Sequence, residues 1–180
     1  MVLVVIAIQI ILLLILIACW LYFASMLISD LFGVPFVPTR NKSLDQIFDF
    51  IEFNQKDVFY DLGSGDGRLP FYIAKKYNIK AVGVELNPLL HVFCLFKKWL
   101  TKSEKVQFYR RNFFNLDLKP ATVIYLFLFP EVVEKLYPKF MKHCPRGTVI
   151  ISHGFKIKKL ESKKVAELPN KPFATYFYRL

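Results

Sequence analysis

Residues 58–68 read Val-Phe-Tyr-Asp-Leu-Gly-Ser-Gly-Asp-Gly-Arg, and they limit the fold of this chain more than any other stretch. Apolar residues suited to a buried strand run into Asp61, and glycines then take alternate positions at 63, 65 and 67. A strand that ends in closely spaced glycines predicts a tight turn whose backbone can approach a ligand. A helix whose first turn lies near Gly67 to Pro70 should follow. The amides at its start favour an anionic group such as a carboxylate.

The next strand adds a second constraint. Lys80-Ala81-Val82-Gly83-Val84-Glu85 ends in an acid 18 residues after Gly67. Rossmann-type folds place a carboxylate on ribose hydroxyls at close to that spacing. The glycines form G-x-G-x-G and not the G-x-G-x-x-G of dinucleotide enzymes, and Asp61 stands just before them. The pattern resembles motif I of class I S-adenosylmethionine (SAM) methyltransferases, with Glu85 at the position of their ribose-binding acid. A nucleotide dehydrogenase is the poorer match.

The chain has 25 Lys and Arg against 14 Asp and Glu, a formal net charge of +11, and none of these residues lies between Met1 and Ser29. All the excess therefore falls on the remainder, which suits nucleic acid, an anionic membrane surface or an acidic substrate. Composition does not choose among these. Val2 to Ile28 is apolar apart from Gln9 and a few small or weakly polar residues, and it exceeds the roughly 20 residues needed to cross a bilayer. Trp20, Tyr22 and Phe23 lie near its end, where amphipathic rings favour the membrane interface. No basic segment precedes the run and it is too long for a signal-peptide core, so it predicts an anchor and not a cleaved leader. Leu16 to Cys19 fits a bacterial lipobox by pattern, but the residues from Trp20 onward stay apolar.

The expected organisation is a transmembrane anchor over 1–29, a Pro- and Gly-containing connector over 30–42 and one catalytic domain over 43–180. Arg40, Lys42 and the later basic residues follow the span while none precedes it, which predicts a single pass with the domain in the cytosol. Cys19, Cys94 and Cys144 are widely spaced, with no C-x-x-C pair and no His at metal-ligand spacing. Buried, reduced thiols are expected, with no disulfide framework and no metal site.

Within the domain, Ser43 to Gln46 has the form of a capping box, with Leu44, Ile47, Phe48 and Ile51 as one helical stripe. Asn87 and Pro88 read as N-cap and first residue of a helix whose buried face carries Leu89, Phe93, Phe96 and Leu100. Val106 to Arg110 is a short strand, and Arg111 to Ala121 is too short and Pro-interrupted for a full helix. Thr122 to Leu128 is a central parallel strand. Pro130 opens a helix ending near His143, Gly147 to Ser152 forms a fifth strand, and Val165–Leu168 and Phe173–Tyr178 form a closing pair. Alternating strands and helices followed by consecutive strands predict a Rossmann-like, open, mostly parallel α/β sheet.

A closer resemblance then emerges from the order of several blocks: Phe36-Val37-Pro38-Thr39, Tyr60 to Arg68, Gly83-Val84-Glu85, Pro130 to Leu136, and Ile151-Ser152-His153. Together they are similar to a family of small archaeal protein-lysine methyltransferases, related to mitochondrial enzymes that modify the adenine nucleotide translocase and the ATP synthase c-subunit. The resemblance covers roughly Phe36 to the C-terminus. It implies S-adenosyl-L-methionine as cofactor and a lysine of a membrane or membrane-proximal protein as acceptor. It also implies a cofactor site built from Thr39, Asp61, Gly63, Ser64, Gly65, Gly67, Glu85, Leu86, Asn112 and Phe113. Asp61 would hold the methionine amino end, Glu85 the ribose hydroxyls, Leu86 the adenine face, and Asn112 with the Phe113 backbone the adenine edge. This chain has Asn112 where the family often has an acid, and Phe127 where it commonly has Tyr.

A lysine acceptor has an ordinary pKa near 10.4 and must reach the methyl group unprotonated. An apolar channel disfavours its charged form. Phe127, Phe129 and Pro130, after the fourth strand, lie where ligands sit in open α/β sheets, and Glu131 either orients the amine or, as an acid in a first helical turn, simply pairs with the helix dipole. His153 is a further candidate, with a structural role as the plainer reading. The alternatives are an RNA or small-molecule methyltransferase, permitted by the charge but without an N-P-P-Y-type motif after the fourth strand, and a non-catalytic SAM-binding membrane scaffold.

Overall fold

The computed structural model describes residues 1–31, 41–169 and 172–180. Thr39 with Phe36, Val37, Pro38 and Arg40, and Asn170 and Lys171, lie outside the described residues. The chain divides into two compact units, Met1–Phe36 and Val37–Leu180. The first is built on one helix, α1 (Val2–Leu31), which runs three residues beyond the apolar stretch expected from sequence. Its Val2–Ala24 portion is long and apolar enough to cross a membrane.

The second unit is a seven-stranded sheet in the order β3-β2-β1-β4-β5-β7-β6. The strands are β1 (Val58–Leu62), β2 (Lys80–Val84), β3 (Val106–Tyr109), β4 (Val123–Leu126), β5 (Val149–His153), β6 (Lys164–Leu168) and β7 (Thr175–Arg179). Pairing is parallel from β3 through β5. β7 then runs antiparallel to β5, and β6 hangs antiparallel on β7. The chain steps outward from β1 to β3 and returns to β4 on the other side of β1, which opens a crevice at the carboxyl ends of those central strands.

β1 and β4 are buried along almost their whole length, which is why both read as near-continuous apolar runs. On one face, α2 (Asn41–Phe48) delivers Leu44, Ile47 and Phe48 into the main core. The Phe48 ring lies 5.7 Å from that of Phe59 and 5.9 Å from that of Tyr125. Burying one such side chain contributes roughly 1.5–3 kcal/mol. Because α2 begins at Asn41, Ser43 sits inside the helix and not at its cap, so the expected capping box is not what starts it. Three further helices follow: α3 (Arg68–Tyr77), α4 (Pro88–Thr101) and α5 (Pro130–His143).

α4 begins as its sequence predicts, with the Asn87 side chain accepting from the amides of Leu89 and Leu90 at 3.0 and 3.2 Å. Its orientation does not follow the prediction. Leu89, Phe93, Phe96 and Leu100, expected to face the core, are all exposed, and Cys94 is the helix's one fully buried residue. The physical reason is position: α4 packs beside β3, the edge strand, where a small thiol meets the sheet and the bulky stripe is left outside. The thiols also differ from expectation. Cys94 is buried, Cys144 is half-buried, and Cys19 is exposed on α1.

Candidate functional site

The loop after β1 is held from several directions. The amides of Gly63 and Ser64 both donate to the Val84 carbonyl at the end of β2, at 2.9 and 3.0 Å. Gly63, Gly65 and Gly67 have φ of 88°, 54° and 72°, a region that side-chain-bearing residues seldom occupy. At Gly67 space is limiting as well, since a Cβ would lie 2.6 Å from Phe108 Cζ and 2.9 Å from Cys94 Sγ. Gly83 on β2 has the same tightness, with Phe108 Cδ1 at 2.6 Å from a would-be Cβ. Phe108 therefore wedges beneath the loop, and only glycine admits it on both sides. From α4, the Cys94 thiol donates to the Gly65 carbonyl at 3.3 Å, and burial pushes its pKa up to about 12.

Two carboxylates stand at this loop, as the spacing in sequence predicts. Asp61 is buried near the end of β1, and its pKa is raised well above the ordinary value, first by burial and then by the charges of Glu85 and Asp66. Glu85 lies just past β2, where one oxygen accepts from the Gly65 amide and the other from the Asn87 amide, each at 2.8 Å. Burial raises the Glu85 pKa, and these backbone donors oppose the rise. The Leu86 amide is a third backbone donor to this carboxylate, which still keeps acceptor capacity for a ligand donor. The third acid, Asp66, is committed to structure: its side chain accepts from the Arg68 amide at 3.2 Å and forms a 2.8 Å ion pair with the Arg68 guanidinium. The first amide of α3 is therefore already satisfied by the chain's own carboxylate, which narrows the anion site expected there.

Around this centre, Ser64 is buried and its hydroxyl has no hydrogen-bond partner among the described residues. Leu86 is half-buried beside Glu85. Asn112 and Phe113 follow β3, and Asn112 accepts from the Phe114 amide at 3.0 Å, capping a short 3-10 turn over Phe113–Asn115. Its side-chain oxygen thus has a structural duty that leaves the amide nitrogen free to turn elsewhere.

A second group forms at the ends of β4 and β5. The Phe127 ring meets His153 edge-on at 4.7 Å and Phe173 at 5.1 Å. Phe129 lies 6.4 Å from Phe155 and is exposed, as is Glu131 in the first turn of α5, while Pro130 is half-buried. His153 is buried, its Nδ1 lies 2.8 Å from Thr175 Oγ1, and burial lowers its pKa to about 4, so the ring is neutral. Sequence reading placed Phe127, Phe129, Pro130 and Glu131 together but missed Phe173. Phe173 enters because β7 pairs His153 with Thr175, a register that no local motif carries. Cys94 as a support of the loop was also missed, since a lone cysteine among apolar residues looks like core.

The arrangement is therefore a glycine loop flanked by two acids at the carboxyl ends of β1 and β2, next to an apolar aromatic group after β4 and β5. A sequence model of the ANTKMT methyltransferase domain matches residues 61–164. A protein-lysine N-methyltransferase from Saccharolobus islandicus is 36% identical over 154 residues, covering 81% of this chain and 92% of that protein. The adenine nucleotide translocase lysine N-methyltransferase of Mus musculus is 27% identical over 123 residues. That match covers 68% of this chain and 53% of the mouse protein, so the chain spans about half of that relative. Among solved structures, an RNA methyltransferase from Salinibacter ruber in complex with S-adenosyl-L-homocysteine superposes with a TM-score of 0.74 at 29% identity. The superposition covers 79% of this chain and 93% of that one.

Proposed function

Because this chain belongs to the family of the ANTKMT methyltransferase domain, matched over residues 61–164, we propose that it methylates lysine side chains of a membrane or membrane-proximal protein. S-adenosyl-L-methionine is the cofactor, and it supplies an electrophilic methyl group on a sulfonium. The observation that carries the reading is Asp61: a carboxyl whose pKa is raised by burial and then by two neighbouring acids among the described residues, beside a loop of glycines at positive φ. Such a group is stabilised as a carboxylate by an incoming cation, and the ammonium and sulfonium of the cofactor are cations.

In this reading Asp61 holds the amino end, the backbone of Gly63, Gly65 and Gly67 lines the path, and Ser64 offers a hydroxyl that is unpartnered among the described residues. Glu85 uses its remaining lone pairs on the ribose hydroxyls, Leu86 packs on the adenine, and Asn112 with Phe113 borders the adenine edge. Thr39 belongs to the same set by resemblance. Methyl transfer is an in-line displacement in which the nitrogen–carbon bond forms as the sulfur–carbon bond breaks, so positioning supplies most of the acceleration. Phe127, Phe129 and Pro130 form an apolar approach that favours the neutral amine. His153, held neutral, adds no charge to it. Glu131, exposed in the first turn of α5, orients the amine, whose proton is lost to solvent.

α1 serves as a single-pass anchor in this reading, with the domain on the cytosolic side, where the cofactor is made and thiols stay reduced. Isothermal titration with S-adenosylmethionine and transfer of radiolabelled methyl to membrane extract, with lysine products identified by mass spectrometry, test the whole. Glu85→Ala should weaken cofactor binding about ten- to a hundredfold, the effect of losing charge-assisted hydrogen bonds. Unchanged affinity in a folded Glu85→Ala protein overturns the ribose assignment, and label on RNA in place of lysine overturns the acceptor.

A further inference from the structure

The face that α4 turns away from the sheet is the largest feature of the domain that methyl transfer leaves unexplained. Leu89, Val92, Phe93, Phe96, Trp99 and Leu100 recur at three- and four-residue intervals and so share one side of the helix. They are 41–72% exposed, and the Phe96 and Trp99 rings stack at 6.0 Å. Scattered exposed apolar residues need no cause, but a contiguous aromatic and aliphatic face of this kind marks an interaction surface.

The surrounding charge says what covers it. From Pro88 to Ser103 the chain has no Asp or Glu, while helical spacing puts Lys97 and Lys102 on the flanks of the apolar face and Lys98, four residues after the buried Cys94, on the sheet-facing side. Lys97 lies on the side of α3, its Nζ over the Phe71 ring at 5.0 Å, and Lys102 is exposed at the C-cap. Two copies of the chain meeting through this face would bring two lysine-bordered surfaces together, at a cost in like-charge repulsion. An anionic lipid leaflet matches both parts at once. An amphipathic helix of this composition lies in the interface with its apolar side in the headgroup–acyl boundary and its lysines at the phosphates.

We propose that α4 is a second membrane contact, an interfacial helix that seats the catalytic domain on an anionic leaflet. The proposal rests on the reading that α1 anchors the chain, and it adds an orientation to that tether. Asn87 caps α4 and donates to Glu85, and Cys94 donates to the Gly65 carbonyl. A leaflet that fixes α4 therefore fixes the cofactor loop relative to the bilayer. The acceptor it selects is a lysine close to the headgroups.

The chain has two tryptophans, one in α1 and one in α4, so each contact can be read separately in the full chain. Trp20→Phe leaves Trp99 as the reporter of α4, and Trp99→Phe leaves Trp20 as the reporter of α1. Each protein is reconstituted in vesicles of phosphatidylcholine and phosphatidylglycerol, with or without brominated acyl chains, and probed with aqueous iodide. The expected result is loss of Trp99 emission in brominated lipid together with protection from iodide. Adding Val92→Ser and Phe96→Ser should abolish that loss while the thermal transition of the domain remains. If Trp20 is quenched and Trp99 is not, the α4 contact is refuted and the anchor stands. If Trp99 alone is quenched, the anchor fails and the α4 contact stands. Trp99 shielded from iodide yet unquenched by brominated lipid means that protein covers the face, which also overturns the proposal.

Discussion

At the scale of single residues, the proposed role of Asp61 predicts that cofactor binding depends on pH. Its folded pKa is raised above the ordinary 3.8 by burial and by Glu85 and Asp66. Between the ordinary value and the raised one, the folded state therefore binds more protons than the unfolded state, and stability falls as pH rises through that window. This is the reverse of the behaviour of a carboxylate paired with a cation. The domain without cofactor should lose thermal stability as pH rises through the window, and Asp61→Asn should flatten that slope. Binding of a cationic ligand favours the carboxylate, so it should release a proton and weaken as pH falls. Titrations in buffers of different ionisation enthalpy measure that proton, and an Asp61→Asn protein that still releases it sinks the assignment. Asp61 and Glu85 were legible in the sequence because each stands at the end of an apolar strand two residues from a glycine, and both signals are local. His153, Phe127 and Phe173 were only partly legible, because their meeting depends on how β4, β5 and β7 pair.

At the scale of elements, the entry to α3 is governed by space. In Gly67→Ala, a methyl group would sit against Phe108 and Cys94 at a φ of 72°. Overpacking and backbone strain together should cost about 1–3 kcal/mol, read as a lower denaturant midpoint at unchanged slope. Because β3 and α4 both support the loop through those contacts, cofactor affinity should fall in the same variant. Equal stability and affinity would show that Phe108 and the loop move aside freely. The elements themselves were legible from periodicity and caps, and five strands and three helices of the domain fall where alternation predicts. The side of α4 that meets the sheet was not legible. A stripe of apolar residues at helical spacing tells which side chains share a face, but here the small face goes inward and the large one outward.

For the whole molecule, the separation of charge is the controlling property. The apolar α1 carries no basic or acidic residue before Asp30, and the net charge of +11 belongs to the rest. Deleting Met1 to Ser29 should therefore leave S-adenosylmethionine affinity nearly intact while reducing lysine methylation in vivo, since local concentration at the membrane is lost. Protease added to intact cells should spare the domain. Digestion of the domain in unbroken cells, or full methylation in vivo by the truncated protein, would remove the case for a cytosolic, anchored enzyme. The sheet order also sets a timetable for biosynthesis. β6 leaves the ribosome before β7, yet β7 is its partner and separates it from β5. Until β7 emerges, β5 has one open edge and β6 no neighbour, so the nascent domain exposes unpaired strand backbone. α1 is synthesised well before this, so under the proposed anchoring the catalytic domain would complete its folding at the bilayer surface, where a chaperone near the membrane is best placed to shield that edge.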